Sequence, residues 1–181
     1  DEPGDVGDVL ADRLAALFGE AGGFSVERAD DPDEVDRLFA ARRLAYPSLA
    51  RLSPVLTEDI VVPRSLVPEM LSRIEAISAV EGVPIANIAH AGDGNLHPLI
   101  FTPAGDDELM ARAKKAFELI VDACHELGGT ITGEHGVGLL KLPGMAKELS
   151  PVVLGMHAAV KKALDPKGLL NPGKAFPEVT R

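Results

Sequence analysis

The 181-residue sequence contains no tryptophan, one tyrosine and a single cysteine, Cys124. A lone cysteine cannot form an internal disulfide and supplies no paired redox motif, which fits a reducing, cytoplasmic compartment. Because aromatic residues make up only 4% of the chain, the core is expected to consist of Leu, Val, Ile and Ala. Since 46% of the residues are hydrophobic, the sequence predicts one domain of ordinary size, spanning residues 1–181.

Basic residues are also few, with 18 Lys and Arg against 28 Asp and Glu, and the net charge is −10. This balance excludes a broad electrostatic surface for nucleic acid, although a few local cations could still bind a small anion. No apolar run approaches the roughly 20 residues of a transmembrane helix, and no signal peptide is visible. The chain begins with Asp1 rather than Met, so we expect it to be cut from a longer protein.

The apolar periodicity predicts helices that alternate with strands. The expected helices span residues 9–18, 32–45, 66–80, 107–127 and 151–164, and the expected strands span residues 24–28, 55–62, 85–90, 96–101 and 130–133. An irregular link is expected after Pro47, and residues 45–56 form the only weak linker candidate. The pattern favours an α+β fold in which helices cover one face of an antiparallel sheet.

Two histidines, His90 and His97, enclose a glycine-rich segment between the two strands of a predicted hairpin. Seven residues apart on a straight strand they would face opposite sides, but at the two ends of a hairpin loop they can converge. Gly92 and Gly94 allow the tight backbone that such a loop requires. Two imidazoles beside a carboxylate are typical ligands of a divalent metal, with zinc as first choice and manganese or iron as alternatives.

The carboxylate is expected from Glu134, which stands with His135 between Gly133 and Gly136. In this interpretation Glu134 completes a metal site, and His135 is available for proton transfer. The residues alone leave alternatives open. Histidines at strand ends are often hydrogen-bonded structural residues rather than ligands, and a Gly-Asp-Gly-Asn segment can be a loop that binds nothing. Two histidines and a glutamate would also suit a metal-dependent hydrolase or a non-catalytic metal-binding module.

Three motifs occur in order, at residues 90–98, 133–138 and 164–174. Together with Phe39-Ala-Ala-Arg42-Arg43 and the segment 58–64, they resemble the C-terminal domain of FAD-linked oxidases of the vanillyl-alcohol-oxidase type. The resemblance extends from about Phe39 to Lys174, and it is closest to the glycolate oxidase and D-lactate dehydrogenase group. It implies a ferredoxin-like fold and a part in oxidising a small 2-hydroxy acid.

The resemblance also implies roles for individual residues. His90, His97 and Glu134 match metal ligands of the family, and His135 matches a histidine placed beside the substrate hydroxyl and the flavin. Arg42 matches an arginine that binds the substrate carboxylate. Asn95 matches an asparagine that lines the site, and Asn171 matches an asparagine that contacts the flavin. Some relatives carry a lysine just before the Asp of the segment 58–64, where this chain has Thr57 and Glu58.

The family's flavin-binding domain has no counterpart in residues 1–181, so we expect this chain to bind FAD weakly or not at all. The resemblance implies electron-accepting subunits or a carrier as partners. A homodimer and a location at the membrane periphery in the full complex are further expectations.

Overall fold

The computed structural model describes residues 5–175, and the chain divides between Leu49 and Ala50 into two compact units. The division falls within the stretch 45–56 that was the weak linker candidate. Helix α1 (Val6–Glu20) belongs to the first unit, and helix α2 (Pro32–Leu52) begins there. The irregular link expected after Pro47 is wrong: α2 continues through Pro47 to Leu52. An interior proline disfavours a helix because it removes one backbone donor and crowds the preceding turn, but it does not end this one.

The strand expected over residues 24–28 is also wrong. The segment is irregular, and Phe24 is fully exposed. A strand needs a hydrogen-bonding neighbour, and the described part of the first unit contains no other strand. The guanidinium of Arg28 instead forms ion pairs with Asp8, Asp12 and Asp30 on the surface.

The second unit contains an antiparallel sheet whose central strand is β4 (Asn95–Phe101). Strand β3 (Ile85–His90) pairs with one side of β4, and β1 (Val55–Thr57) and β2 (Ile60–Val61) pair with the other. The sequence predicted β1 and β2 as one strand, and they do share a single register along β4. The ladder is interrupted opposite Pro98, which accepts a bond from the Glu58 amide but has no N–H to return one.

Helices α3 (Val67–Glu81) and α4 (Asp107–Glu126) pack against one face of this sheet. The Asp106 side chain caps α4 by accepting a hydrogen bond from the backbone N–H of Leu109. The centre of the core consists of fully buried aliphatic side chains from the sheet and the two helices: Ile60, Leu96, Ile100, Met70, Ile74 and Ile120. The predicted hairpin and the two helices therefore agree with the structure to within a few residues.

The chain order β2–α3–β3–β4–α4 is that of a ferredoxin-like unit, with the spatial order β3, β4, β2. The predicted strand 130–133 would be the last strand of that unit, but it is reduced to one bridge between Thr130 and Val61. The α+β fold with an antiparallel sheet is confirmed.

Two further helices follow. Helix α5 (Leu142–Glu148) was not predicted, whereas α6 (Pro151–Leu164) was, including its Ser150 cap. None of the helices described in residues 5–175 is long and apolar enough to cross a membrane.

Candidate metal and proton-transfer site

The β3–β4 hairpin places His90 and His97 on the same face of the sheet. His90 lies opposite Asn95, and His97 lies opposite Ile88, so the four-residue connection 91–94 brings both imidazoles to one side. Their ring centroids are 5.3 Å apart in a T-shaped arrangement. Gly94 is required in the connection because its φ is +78° and a Cβ there would stand 2.2 Å from the Val62 carbonyl oxygen.

Glu134 completes a three-residue cluster with these histidines. Its Oε1 lies 3.4 Å from His90 Nε2 and 3.2 Å from His97 Nε2. One potential ligand atom from each residue lies within 4.8 Å of the other two. The side chain of His97 is 10% exposed and that of Glu134 is 54% exposed, so the cluster is enclosed on the sheet side and open on the other. Two nitrogens and one carboxylate oxygen with an accessible side suit a divalent ion that retains open positions.

The imidazole of His135 stacks on that of His97, with centroids 4.8 Å apart and planes inclined by 15°. Its Nε2 lies 3.9 Å from Glu134 Oε1, and the side chain is 48% exposed. Burial, with a further contribution from the neighbouring His135, lowers the pKa of His97. A lowered pKa favours the neutral imidazole, which is the form that binds a metal. His135 is therefore placed where it can exchange a proton with a molecule at the open side of the cluster.

The turn that carries Glu134 and His135 is held by Asp59, a fully buried residue. Asp59 Oδ2 accepts the backbone N–H groups of Gly133 at 2.9 Å, Glu134 at 3.1 Å and His135 at 2.8 Å, together with the Thr132 hydroxyl at 3.0 Å. Burial acts to raise the pKa of Asp59, but the bonds from His135 and Thr132 and the charge of Lys141 outweigh it and lower the pKa to about 2. The carboxylate is thus ionised, and its Oδ2 is engaged with the turn.

A buried lysine supports the same region from α5's N-terminal side. Lys141 Nζ donates to the carbonyl oxygens of Asp59 at 2.6 Å and Ile131 at 2.7 Å, and it lies 2.8 Å from Glu58 Oε1. Burial raises the pKa of Glu58 to about 6, although the Lys141 charge opposes the shift. Neither Asp59 nor Lys141 was predicted from the sequence to have a functional role. The signal available for Asp59 was a pair of adjacent carboxylates within the apolar run 55–62, where alternate side chains must point inward.

Asn95, expected to line the site, is buried beneath the same turn. A Cβ on Gly133 would stand 2.6 Å from Asn95 Nδ2, so only glycine allows the turn to lie against this amide. Asn95 Oδ1 is buried and has no hydrogen-bond partner among the described residues.

The two remaining residues expected at the site lie in other elements of the chain. Arg42 is an exposed residue of α2 in the first unit. Asn171 lies in the tail after α6 with a φ of +45°, and its Oδ1 accepts a bond from Lys174 Nζ at 3.1 Å. The described contacts do not join Asn171 to the three ligand candidates.

The family described as FAD linked oxidases, C-terminal domain, matches residues 3–175. The chain belongs to this family. It is 40% identical over 171 residues to the glycolate oxidase subunit GlcD of Bacillus subtilis (strain 168), a match that covers 94% of this chain and 36% of that protein. GlcD of Escherichia coli (strain K12) is 39% identical over 171 residues, with 94% of this chain and 34% of that protein covered.

The similarity includes D-lactate dehydrogenases. The mitochondrial D-lactate dehydrogenase [cytochrome] of Arabidopsis thaliana is 33% identical over 152 residues, which cover 82% of this chain and 27% of that protein. The chain therefore spans about a third, or less, of the length of these relatives. The predicted family is confirmed, and FAD is the cofactor that membership of the FAD-linked oxidases supports.

Proposed function

We propose that this chain is the metal- and substrate-binding domain of an FAD-dependent 2-hydroxy-acid oxidoreductase of the glycolate oxidase and D-lactate dehydrogenase kind. The observation that carries the proposal is the convergence of His90, His97 and Glu134 with His135 stacked beside them. The names of the relatives support the substrate class.

The ligand set fits a divalent ion. His90 Nε2, His97 Nε2 and Glu134 Oε1 would hold it, with zinc as first choice and manganese or iron as alternatives. Such an ion would supply Lewis acidity, which lowers the pKa of a bound hydroxyl group. The exposed side of Glu134 leaves room for the hydroxyl and carboxylate oxygens of a substrate.

The remaining roles fall to residues of this chain. His135 would accept the hydroxyl proton at a ring nitrogen, Asn95 would line the site, and Arg42 would bind the substrate carboxylate through its paired N–H donors. Asn171 and His135 would contact the flavin, which would accept the hydride and is bound mainly by a domain outside these residues.

The proposal also covers the location and the partners of the full protein. The protein would be cytoplasmic and, in the full complex, peripheral to the membrane. It would form a homodimer and pass electrons to a partner subunit or carrier.

The test uses the protein in which this chain accompanies a flavin-binding domain. Under anaerobic conditions, glycolate, D-lactate or D-2-hydroxyglutarate should bleach the flavin absorbance. His135→Ala should slow this reduction by about 10²–10⁴-fold, the usual contribution of a general base. His125→Ala is the matched control, because His125 lies at the end of α4 and pairs with Glu148. Equal reduction rates in the His135 variant and the control would contradict the proposed role.

The isolated chain provides a second test. An absorbance spectrum of the purified chain should show little or no bound flavin. Stoichiometric flavin would contradict the proposal that FAD is bound mainly by another domain. Hydrolysis of ester or amide substrates by the isolated chain, without flavin, would favour a metal-dependent hydrolase instead.

A further inference from the structure

The geometry points to Asp59 as a positioning residue that orients His97 toward the metal while it holds the turn bearing Glu134 and His135. This inference deepens the proposed function and rests on it for the presence of a metal. Asp59 would not touch the metal or the substrate. It would act through the residues that do.

The first observation is the register of the sheet. Thr57 pairs with Leu99 and Ile60 with Leu96, so the same register sets Asp59 opposite His97 across the interrupted part of the β1–β2 ladder. Directly opposite residues of an antiparallel pair point to the same face. Asp59 and His97 are therefore brought together by the register that β1 and β2 share along β4.

The second observation concerns the two unpaired atoms between them. Asp59 Oδ1 and His97 Nδ1 are both buried, have no hydrogen-bond partner among the described residues, and lie 3.7 Å apart. A carboxylate facing Nδ1 favours the tautomer in which Nδ1 carries the proton. That tautomer leaves the lone pair on Nε2, and Nε2 is the atom that lies 3.2 Å from Glu134.

The third observation separates this role from that of a ligand. Asp59, His97 and His135 also offer three ligand atoms within 4.8 Å of one another. However, Asp59 Oδ2 already accepts four donors, and Lys141 Nζ lies 3.7 Å from it. A metal ion at Oδ2 would have to approach this ammonium group, and the like charges would repel each other, while the free Oδ1 faces His97 Nδ1. Among the described residues, the printed partners of Glu134 are histidines, with no Lys or Arg among them.

The decisive variant is Asp59→Asn in the 181-residue chain. Its amide oxygen can still accept the bonds from the turn, but its NH₂ group would face His97 Nδ1 and favour the tautomer protonated at Nε2. We expect the ¹⁵N shifts of the His97 ring in the metal-free chain to report Nδ1–H in the parent and Nε2–H in the variant. Zn²⁺ affinity, measured by competition with a chelator, should fall by about 10–100-fold, as is usual for outer-shell partners of a metal-binding histidine.

Glu148→Gln is the matched control for a purely structural effect. Glu148 also holds this segment, through Thr130 Oγ1 at 2.6 Å and the Ile131 amide at 2.9 Å, but its described bonds do not include His97. The control should retain the His97 tautomer and the Zn²⁺ affinity of the parent. Equal losses of Zn²⁺ affinity in both variants would overturn the inference.

Two outcomes remain decisive if a variant is unstable or no metal binds. The tautomer of His97 in the parent chain needs no variant, and a proton on Nε2 there would overturn the inference. If the parent takes up no Zn²⁺, the proposed metal function fails, whereas the tautomer change in Asp59→Asn still supports or overturns the role of Asp59.

Discussion

The two units differ in where their apolar side chains lie. Neither α1 nor α2 has a buried residue, and Leu10, Leu14 and Phe18 of α1 are about half exposed. In the second unit, by contrast, Ile60 and Leu96 are completely buried. The same contrast holds for charge, because every buried charged residue in the part of the chain described lies in the second unit. The three candidate ligands and His135 have defined neighbours beside this packed sheet, whereas Arg42 is an exposed residue of α2.

The largest effect expected from this contrast is on stability. Ile60→Ala should lower the free energy of unfolding by about 2–5 kcal/mol, because the lost side chain leaves a cavity between the sheet and its helices. Leu14→Ala, an aliphatic truncation in the first unit, should change it by less than about 0.5 kcal/mol. Urea unfolding followed by circular dichroism measures both. Similar losses for the two variants would remove the distinction between the units.

The next effect separates the two groups of proposed site residues. His97→Ala should weaken Zn²⁺ binding by more than about 100-fold, since it removes a ligand rather than an outer-shell partner. Arg42→Ala should leave Zn²⁺ affinity unchanged, because the proposed role of Arg42 is toward the substrate. Competition titrations with a chelator give both affinities. A loss of Zn²⁺ binding in the Arg42 variant would contradict a role of Arg42 toward the substrate alone.

A smaller effect is expected from the buried charge of Glu58. Its pKa is raised from 4.5 to about 6 by burial, so between these values the folded chain holds a proton that the unfolded chain has released. Stability therefore falls as pH rises from 4.5 to 6, by about 2 kcal/mol from this group. Glu58→Gln removes the titration. The free energy of unfolding of the parent minus that of the variant should fall over this interval, and a constant difference would contradict the raised pKa.

The parts of the fold that could be predicted are those with local signals. The Asp106 and Ser150 caps mark the starts of α4 and α6, and the alternating apolar residues mark β3 and β4. The segment 24–28 carried the same alternation but has no neighbouring strand, and pairing is a property of the whole fold. The reduction of strand 130–133 to one bridge has a similar cause, because the amides of Gly133 to His135 bond to Asp59 instead.

The candidate site divides in the same way. His90, His97, Glu134 and His135 were identified because each pair lies within a short glycine-rich motif. Asp59 was missed because it lies 74 residues before Gly133 in the sequence and reaches the site only through the register of the sheet. Lys141 was missed for a related reason: its ammonium group bonds to backbone carbonyl groups, which leave no pattern of residue types.

X-ray absorption spectroscopy of the zinc-loaded 181-residue chain tests the central claim most directly. We predict one zinc ion per chain with two imidazole nitrogens and a carboxylate oxygen at about 2.0–2.2 Å, and loss of this signal in His97→Ala. Failure to retain a stoichiometric divalent ion, or a spectrum with sulfur from Cys124 and no imidazole, would contradict it.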